Sequence, residues 1–405
     1  MQCDGQKNMS LKQYYKFLLH ERWSDESYLL CNSILQGQKL MMEFVVMAFL
    51  REQHQKLRWI KDNQKKIRAE TYNTLKDNVR TEHETGYDHG KRVILPASHY
   101  ASVCWYRQKN LESLAIVRKK GKPHLFITMT CNPNHPQILK ALPHGASPLD
   151  RPDIVLRVFH QQVHQLLYMI IEGKVPGWER SKGIINVIEF QKRGLPHVHI
   201  LAILDKASHM TDDEIDRYAT AEIPNKEEHY DAWKDVVYFM LHKPCGDLNP
   251  DAPCCQNKYE ACEHGFPKEY SLHSRFEDED GSPVYRRRSP EQGGGSHSVN
   301  LLLGRSRQDY VYTSRDVVPH NLWLLKMFNC HINVEICSSL KVIKYLLGYP
   351  FKAKSRVIAS IEESGADEVK LFEDMRTVGA TEAFWRFYEF PLHNRYPKVY
   401  SLDIH

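Results

Sequence analysis

Hydrophobic and polar positions recur along this chain with periods that lay out most of its elements. From residue 10 to 80 the period is helical. Leu40-Met-Met-Glu-Phe-Val-Val-Met-Ala-Phe-Leu50 supplies one apolar face, and Leu57, Ile60 and Ile67 continue it through a stretch rich in Gln, Lys and Arg. Thr85 to Ser98 is polar, with Gly86, Gly90 and Pro96, and predicts a loop. Tyr106 to Lys119 predicts a helix that Gly121-Lys-Pro123 breaks. His124 to Thr130 alternates and is rich in β-formers, so it predicts a strand, ended by Cys131-Asn-Pro-Asn-His-Pro136. Asp153 to Glu172 predicts an amphipathic helix with Ile154, Val155, Val158, Phe159, Val163, Leu166, Leu167 and Ile170 inward.

The next stretch organises the rest. Asn186 to Phe190 predicts one strand, Lys192 to Pro196 a tight turn, and His197 to Leu204 a second strand. Side chains alternate faces along a strand, so His197 and His199 share a side and Val198 takes the other. Two adjacent imidazoles are a common start for a metal site. With 22 His in 405 residues, about one His-x-His arises by chance, so context must carry the assignment. Here the strand is otherwise apolar. Glu189 on the preceding strand faces the pair across the turn, and Gln191, two residues on, shares its face. The competing reading is two histidines satisfied at a sheet edge.

Residues 206–300 predict an insertion. Thr211-Asp-Asp-Glu opens a short helix as a cap with an acidic first turn. Asp231 to His242 predicts another helix. His242, Cys245, Cys254 and Cys262 then have the loose spacing of a four-ligand zinc knuckle, with Cys255 or His264 as substitutes for one member. Arg286-Arg-Arg288 and Gly293-Gly-Gly295 predict an exposed, mobile stretch. His331 to Cys337 alternates as a strand. Ser338 to Tyr349 predicts a helix with Ser338 or Ser339 as cap, and Tyr345 and Tyr349, four apart, share one of its faces. Glu368 to Phe390 predicts a final helix before a Pro-containing tail.

Composition narrows the function. A chain of 405 residues, 42% hydrophobic and 26% charged, predicts two or three lobes with a substantial core. Net charge +5 permits a polyanionic partner without demanding one. Lys56, Arg58, Lys61, Lys65, Lys66 and Arg68 form either a nucleic-acid-facing stripe or a solvated helix face. No apolar run approaches about 20 residues and the N-terminus lacks a signal-peptide core, so neither secretion nor membrane spanning is expected. With thiols kept reduced, the cysteine cluster points to a metal before a disulfide. The P-loop motif is absent, which removes the case for ATP hydrolysis.

Three pieces occur in order: Thr128-Met-Thr130-Cys-Asn-Pro, Pro196-His197-Val-His199, and the helix with Tyr345 and Tyr349. They resemble the three motifs of the HUH endonuclease superfamily. Their flanks resemble one branch, the replication-initiator (Rep) nuclease of Helitron transposons. Supporting stretches are Val117-Arg-Lys-Lys-Gly-Lys-Pro-His-Leu-Phe-Ile-Thr, Glu189-Phe-Gln-Lys-Arg-Gly-Leu-Pro-His, Val284-Tyr-Arg-Arg-Arg, His331-Ile-Asn-Val-Glu and Phe384-Trp-Arg-Phe-Tyr-Glu-Phe-Pro-Leu-His393. The resemblance covers nearly the whole chain from about Glu21.

It implies an α+β fold: a central antiparallel sheet, the histidine strand in its middle, flanking helices, a helical N-terminal region and a Cys-rich insertion. The implied organisation is an N-terminal region over 1–95, nuclease core over 96–205, insertion over 206–300 and the second part of the core over 301–405. The implied activity is nicking of single-stranded DNA at transposon ends through a 5′-phosphotyrosine linkage, followed by strand transfer, in the nucleus. The alternative is a catalytically decayed DNA-binding remnant of such a transposase. The implied site is Mg²⁺ or Mn²⁺ on His197, His199 and Glu189 or Gln191, with Tyr345 and Tyr349 as nucleophiles and Lys352 assisting. Lys192, Arg193, Lys341 and Lys344 are candidate DNA contacts. A structural Zn²⁺ is expected on the cysteine cluster. Two features depart from the family. Gly348 and Pro350 flank Tyr349 and disfavour helix there. The chain also stops at His405, where the family usually continues into a helicase, expected here on a longer chain or supplied separately.

Overall fold

The structure is a computed structural model that describes residues 9–22, 32–67, 93–100, 102–191, 194–206, 210–250, 252–255, 262–277, 283–303, 306–337, 369 and 378–400. The expected tyrosine helix with Lys341, Lys344, Tyr345 and Tyr349 lies outside the described residues, as do Lys352, Lys192, Arg193, Arg68 and most of 368–377.

Two helices open the chain, α1 (Leu11–Leu18) and α2 (Lys39–Asp62). Ser10 starts α1 by a reciprocal capping box with Gln13. The helical period over 10–80 is therefore broken, because residues 32–38 form turns and Gln38 carries a positive φ of 49°. Helix α3 (Val103–Lys120) starts where the Ser102 hydroxyl accepts the Trp105 N–H at 2.9 Å, and stops at Gly121, whose φ is 97°. Strand β1 (Leu125–Thr130), helix α4 (Pro136–Ala141) and helix α5 (Pro152–Ile171) follow. Strands β2 (Ser181–Phe190) and β3 (Pro196–Leu204) form the hairpin. β2 begins earlier than the sequence pattern predicts, because its first residues pair with β3 across a bulge at Ser181/Gly183.

Residues 206–300 hold α6 (Asp212–Tyr218), with the expected Thr211–Glu214 capping box, and α7 (Tyr230–Phe239), which ends before His242. Two short strands, β4 (Arg275–Phe276) and β5 (Pro283–Val284), pair with each other. A longer hairpin that the pattern did not reveal, β6 (His297–Leu303) with β7 (Ser306–Tyr312), stands apart from the main sheet. Helix α8 (Leu322–Phe328), strand β8 (Ile332–Ile336), helix α9 (Ala380–Phe387) and strand β9 (His393–Tyr396) complete the described chain.

The expected architecture is present: an α+β fold on a five-stranded sheet of order β8-β1-β3-β2-β9, with every pairing antiparallel and β3 in the centre. Being central explains why all nine residues of β3 are buried. One face of the sheet, from Ile127, Val198, Ile200, Ile184 and Val334, packs on Val155, Phe159, Val163 and Leu166 of α5 to form the main core. Trp385 and Phe387 of α9 join this core, and Phe49 of α2 meets Phe387 edge-on at 6.0 Å.

Two expectations are corrected here. The Pro-containing tail is in part the edge strand β9, which pairs Val187 with His393 and Ile184 with Tyr396. Residues 286–295 are exposed only in part: Pro290 to Gly293 are exposed, but the arginines are tied down. Arg287 is buried and donates to the Ser314 and Val317 carbonyls, while Arg286 and Arg288 both bind Glu222. A Cβ at Gly295 would collide with the Ile223 carbonyl, so glycine serves close backbone approach there.

Candidate active site and metal centre

The second face of the sheet changes character along its length. At one end Phe126, Ile185, Leu201 and Ile203 pack under Ile116 of α3. Further along the same strands the side chains turn polar. Residues directly opposite on neighbouring strands share a face. Thr128 and Val187 lie opposite His199, while Thr130 and Glu189 lie opposite His197. The period-two reading therefore places the histidines correctly, side by side on this face.

Glu189 Oε2 lies 3.1 Å from His199 Nε2, and Thr128 Oγ1 lies 3.0 Å from His199 Nδ1. An ionised carboxylate only accepts, so Nε2–H donates to Glu189 and Nδ1 accepts from the Thr128 hydroxyl. A hydroxyl can reverse its role, so Thr128 holds this ring in either tautomer. Phe126 stacks on His199 with planes 4° apart. His197 Nδ1 lies 3.3 Å from the Leu195 carbonyl, which fixes the proton on Nδ1 and leaves the Nε2 lone pair as a ligand. Burial pushes the His197 pKa down to about 4, so the ring is neutral, as a ligand must be.

Gln191 is placed differently. It lies beyond the end of β2, where its N–H and C=O close the turn with Leu195 and Gly194, and it is exposed. Glu189 is the carboxylate that the structure brings to the histidines. His331, beside Thr130 at the start of β8, was not singled out in the sequence. Its carbonyl accepts the Thr130 N–H at 2.9 Å, and its ring and that of His197 disfavour each other's charge. The alternation of 331–337 was the available signal, since it puts His331 on the polar face.

The cysteine cluster is gathered as the spacing predicts. Ligand atoms of His242, Cys245, Cys254 and Cys262 lie within 4.8 Å of one another, the sole such group of His, Cys, Asp or Glu among the described residues. His242 Nε2 stands 3.5 Å from Cys245 Sγ, 3.6 Å from Cys254 Sγ and 3.5 Å from Cys262 Sγ. Phe266 stacks on the His242 ring at 4.3 Å and fixes its plane. Burial raises the Cys262 thiol, but the Phe266 and His264 N–H groups outweigh it, so its pKa falls below the ordinary value. Cys255 is engaged elsewhere, its Sγ accepting the Gly246 N–H at 3.2 Å. This group could hold a metal ion.

Fold and site together define an α+β domain with paired histidines on the central strand of an antiparallel sheet and a carboxylate beside them. Residues 14–202 match the family model of the Helitron helicase-like domain at N-terminus. The match spans β1 to β3 with Thr128, Glu189, His197 and His199, and stops before the cysteine cluster. No curated protein matches the chain. Among the described residues, no helix is long and apolar enough to cross a membrane.

Proposed function

We propose that the chain is a metal-dependent single-stranded DNA endonuclease and strand transferase of a Helitron-type rolling-circle transposon. One observation carries this reading: His199 Nε2 and Glu189 Oε2, 3.1 Å apart, beside His197 on the polar end of the sheet face. Two ligands in adjacent positions on an octahedral ion with bonds near 2.1 Å stand about 3 Å apart, so the His199–Glu189 edge suits Mg²⁺ or Mn²⁺, although the three groups are not gathered within 4.8 Å of one another. The ion would neutralise charge developing on the phosphate. His197, His199 and Glu189 would hold it, and Thr128 would orient His199 by accepting its Nδ1–H.

The reaction is a transesterification. A tyrosine phenol, Tyr345 or Tyr349, attacks phosphorus. The new O–P bond links the enzyme to the 5′ phosphate, and the bond to the 3′ oxygen breaks. The phenol proton leaves through a base, for which Lys352 is our candidate, and a proton goes to the departing 3′ oxygen. A 3′ hydroxyl of a second strand then attacks the linkage and frees the tyrosine. Bond energy is conserved, so strands join without ATP. β8 supports this arrangement: it lies one strand from β3, and Tyr345 follows Cys337, at the end of β8, by eight positions. Lys192, Arg193, Lys341 and Lys344 are proposed phosphate contacts, and a nuclear location with a helicase partner completes the reading.

The cysteine cluster is proposed to hold a structural Zn²⁺. Bonds of 2.3 Å to sulfur and 2.0–2.1 Å to nitrogen give a tetrahedral S···N edge of about 3.6 Å. The three observed edges are 3.5, 3.6 and 3.5 Å. Four protein ligands leave no open position for chemistry.

The test is a covalent adduct on a denaturing gel, with single-stranded DNA from a Helitron end and Mn²⁺. We expect an adduct with the wild type, and none with His197→Ala or His199→Ala, both of which should still bind DNA. DNA binding without any adduct would instead identify a decayed remnant. Full cleavage by either variant would refute the site.

A further inference from the structure

At the edge of the same sheet face lies a pocket of about 320 Å³ between the start of α3, the end of α9 and β9, within the size range of small-ligand sites. Its walls are aromatic. Trp105 meets Tyr100 edge-on, with centroids 5.0 Å apart, and meets the His393 ring edge-on at 6.3 Å. Phe390 adds a third aromatic wall. Cations line it: the Arg386 guanidinium lies 4.1 Å from the Tyr100 centroid and the Lys109 ammonium 5.9 Å from that of Trp105. Lys12 also lines it, held at 2.6 Å by Glu389. Glu389 is the one carboxylate in the lining, and Glu112, outside it, pairs with Lys109 at 3.1 Å.

His393 is the informative residue. Both of its ring nitrogens are buried and have no hydrogen-bond partner among the described residues. Burial, reinforced by Arg395 and Lys109, pushes its pKa down to about 3, so the ring is neutral and offers one donor and one acceptor. Buried polar atoms normally find partners, so an unmatched pair lining a pocket points to a ligand with a complementary edge.

Its position ties it to the site. His393 lies opposite Val187 and Val187 opposite His199, so the three stand in one row on one face. Two strand spacings separate His393 from His199, about 10 Å.

We propose that this pocket holds one unpaired base of the single-stranded DNA whose backbone runs to the His197–His199 pair. A base presents a π face to aromatic walls, a donor–acceptor edge to a neutral imidazole, and a phosphate on its flank to cations. A bare phosphate would use the cations and leave the aromatic walls and the neutral ring unexplained. The proposal rests on the single-strand nuclease reading for the source of the base.

The test measures anisotropy of a labelled, mixed-sequence single-stranded DNA of about 20 nucleotides, longer than the sites typical of such grooves. It uses the full chain with no added Mg²⁺ or Mn²⁺, so cleavage plays no part and the cysteine cluster is left as it is. Trp105 is half-buried, and Trp105→Ala should weaken binding roughly tenfold to a hundredfold. His393→Leu should weaken it too, and His393→Gln, which keeps a donor and an acceptor, should restore most of the loss. An abasic site moved along the DNA should weaken wild-type binding at one position and leave Trp105→Ala indifferent there. A flat abasic scan with the wild type overturns the pocket whether or not the variants fold. If the scan is flat while the tyrosine adduct forms, the pocket fails and the nuclease reading stands. If one position is sensitive and no adduct ever forms, the pocket stands and the nuclease reading fails.

Discussion

Replacing Cys262 by serine should empty the cysteine cluster and melt the segment around it without unfolding the sheet. From His242 to Phe276 the buried apolar side chains among the described residues are Ala252 and Cys255. Their burial contributes on the order of 2 kcal/mol. A structural zinc site contributes roughly 10–16 kcal/mol of folding free energy in small metal-binding units. The metal term is several times larger, so it decides whether this segment is ordered. The local hydrogen bonds Glu263 N–H to Cys254 O at 2.9 Å and Gly265 N–H to Cys262 O at 2.8 Å should then open together. Elemental analysis should find one zinc per chain in the wild type and almost none in Cys262→Ser. Amide exchange across 242–268 should speed up at least about a hundredfold, or roughly 2.8 kcal/mol at 1.4 kcal/mol per tenfold. Peptides covering β1 to β3 should keep their protection. Cys255→Ser is the control: its sulfur faces Gly246 N–H, so zinc should stay. The assignment fails if Cys262→Ser retains a full zinc with unchanged exchange, or if Cys255→Ser loses as much zinc.

Three further outcomes are expected. Glu189→Ala should raise the Mn²⁺ concentration needed for nicking far more than Gln191→Ala, because Glu189 reaches His199 at 3.1 Å while Gln191 is exposed beyond the strand; the reverse order in a metal titration would transfer the ligand role. Tyr345→Phe should remove most of the covalent adduct, whereas Tyr349→Phe, altered between Gly348 and Pro350, should nick but join poorly; mass spectrometry locating the DNA mainly on Tyr349 would invert the roles. Acid should weaken the fold through His320, which is fully buried and has its pKa pushed from 6.5 to about 4 by burial. Between those two values the unfolded chain binds the extra proton, so stability falls with falling pH by about 1.4 kcal/mol per unit from this residue, and nothing is lost above 6.5. Denaturant midpoints at pH 7 and 5 should differ less in His320→Asn than in the wild type; an unchanged difference would show that His320 does not titrate this way.

What the sequence made legible follows from how each element is stabilised. Helix α5 and strands β1 and β3 are held by their own apolar patterns, so periodicity found them. Period two also placed His197, His199 and Glu189 on one face. Thr128 stands in an early motif, but its bond to His199 joins residues 71 apart and needs the β1–β3 pairing. The edge strand β9, His393-Asn-Arg-Tyr396, is held by backbone pairing to β2, which leaves no hydrophobic signature. Arg287 reads as surface from its neighbours. Its burial depends on carbonyls 27 and 30 residues away, which no local pattern encodes. The cysteine cluster was legible because metal chemistry restricts residue type and spacing more tightly than packing does.

The β2–β9 pairing also governs how the protein can be cut. A fragment ending before residue 393 retains Thr128, Glu189, His197, His199 and the cysteine cluster, and so looks sufficient for the chemistry. It also strips the cover from β2, leaving Ile184 to Val187 with open backbone donors and acceptors along an apolar strand. Such an edge recruits the edge of another molecule. Shortened versions should therefore precipitate or self-associate before they lose the histidine pair, and inactivity in such a fragment would report aggregation or loss of the His393 pocket rather than a missing catalytic group.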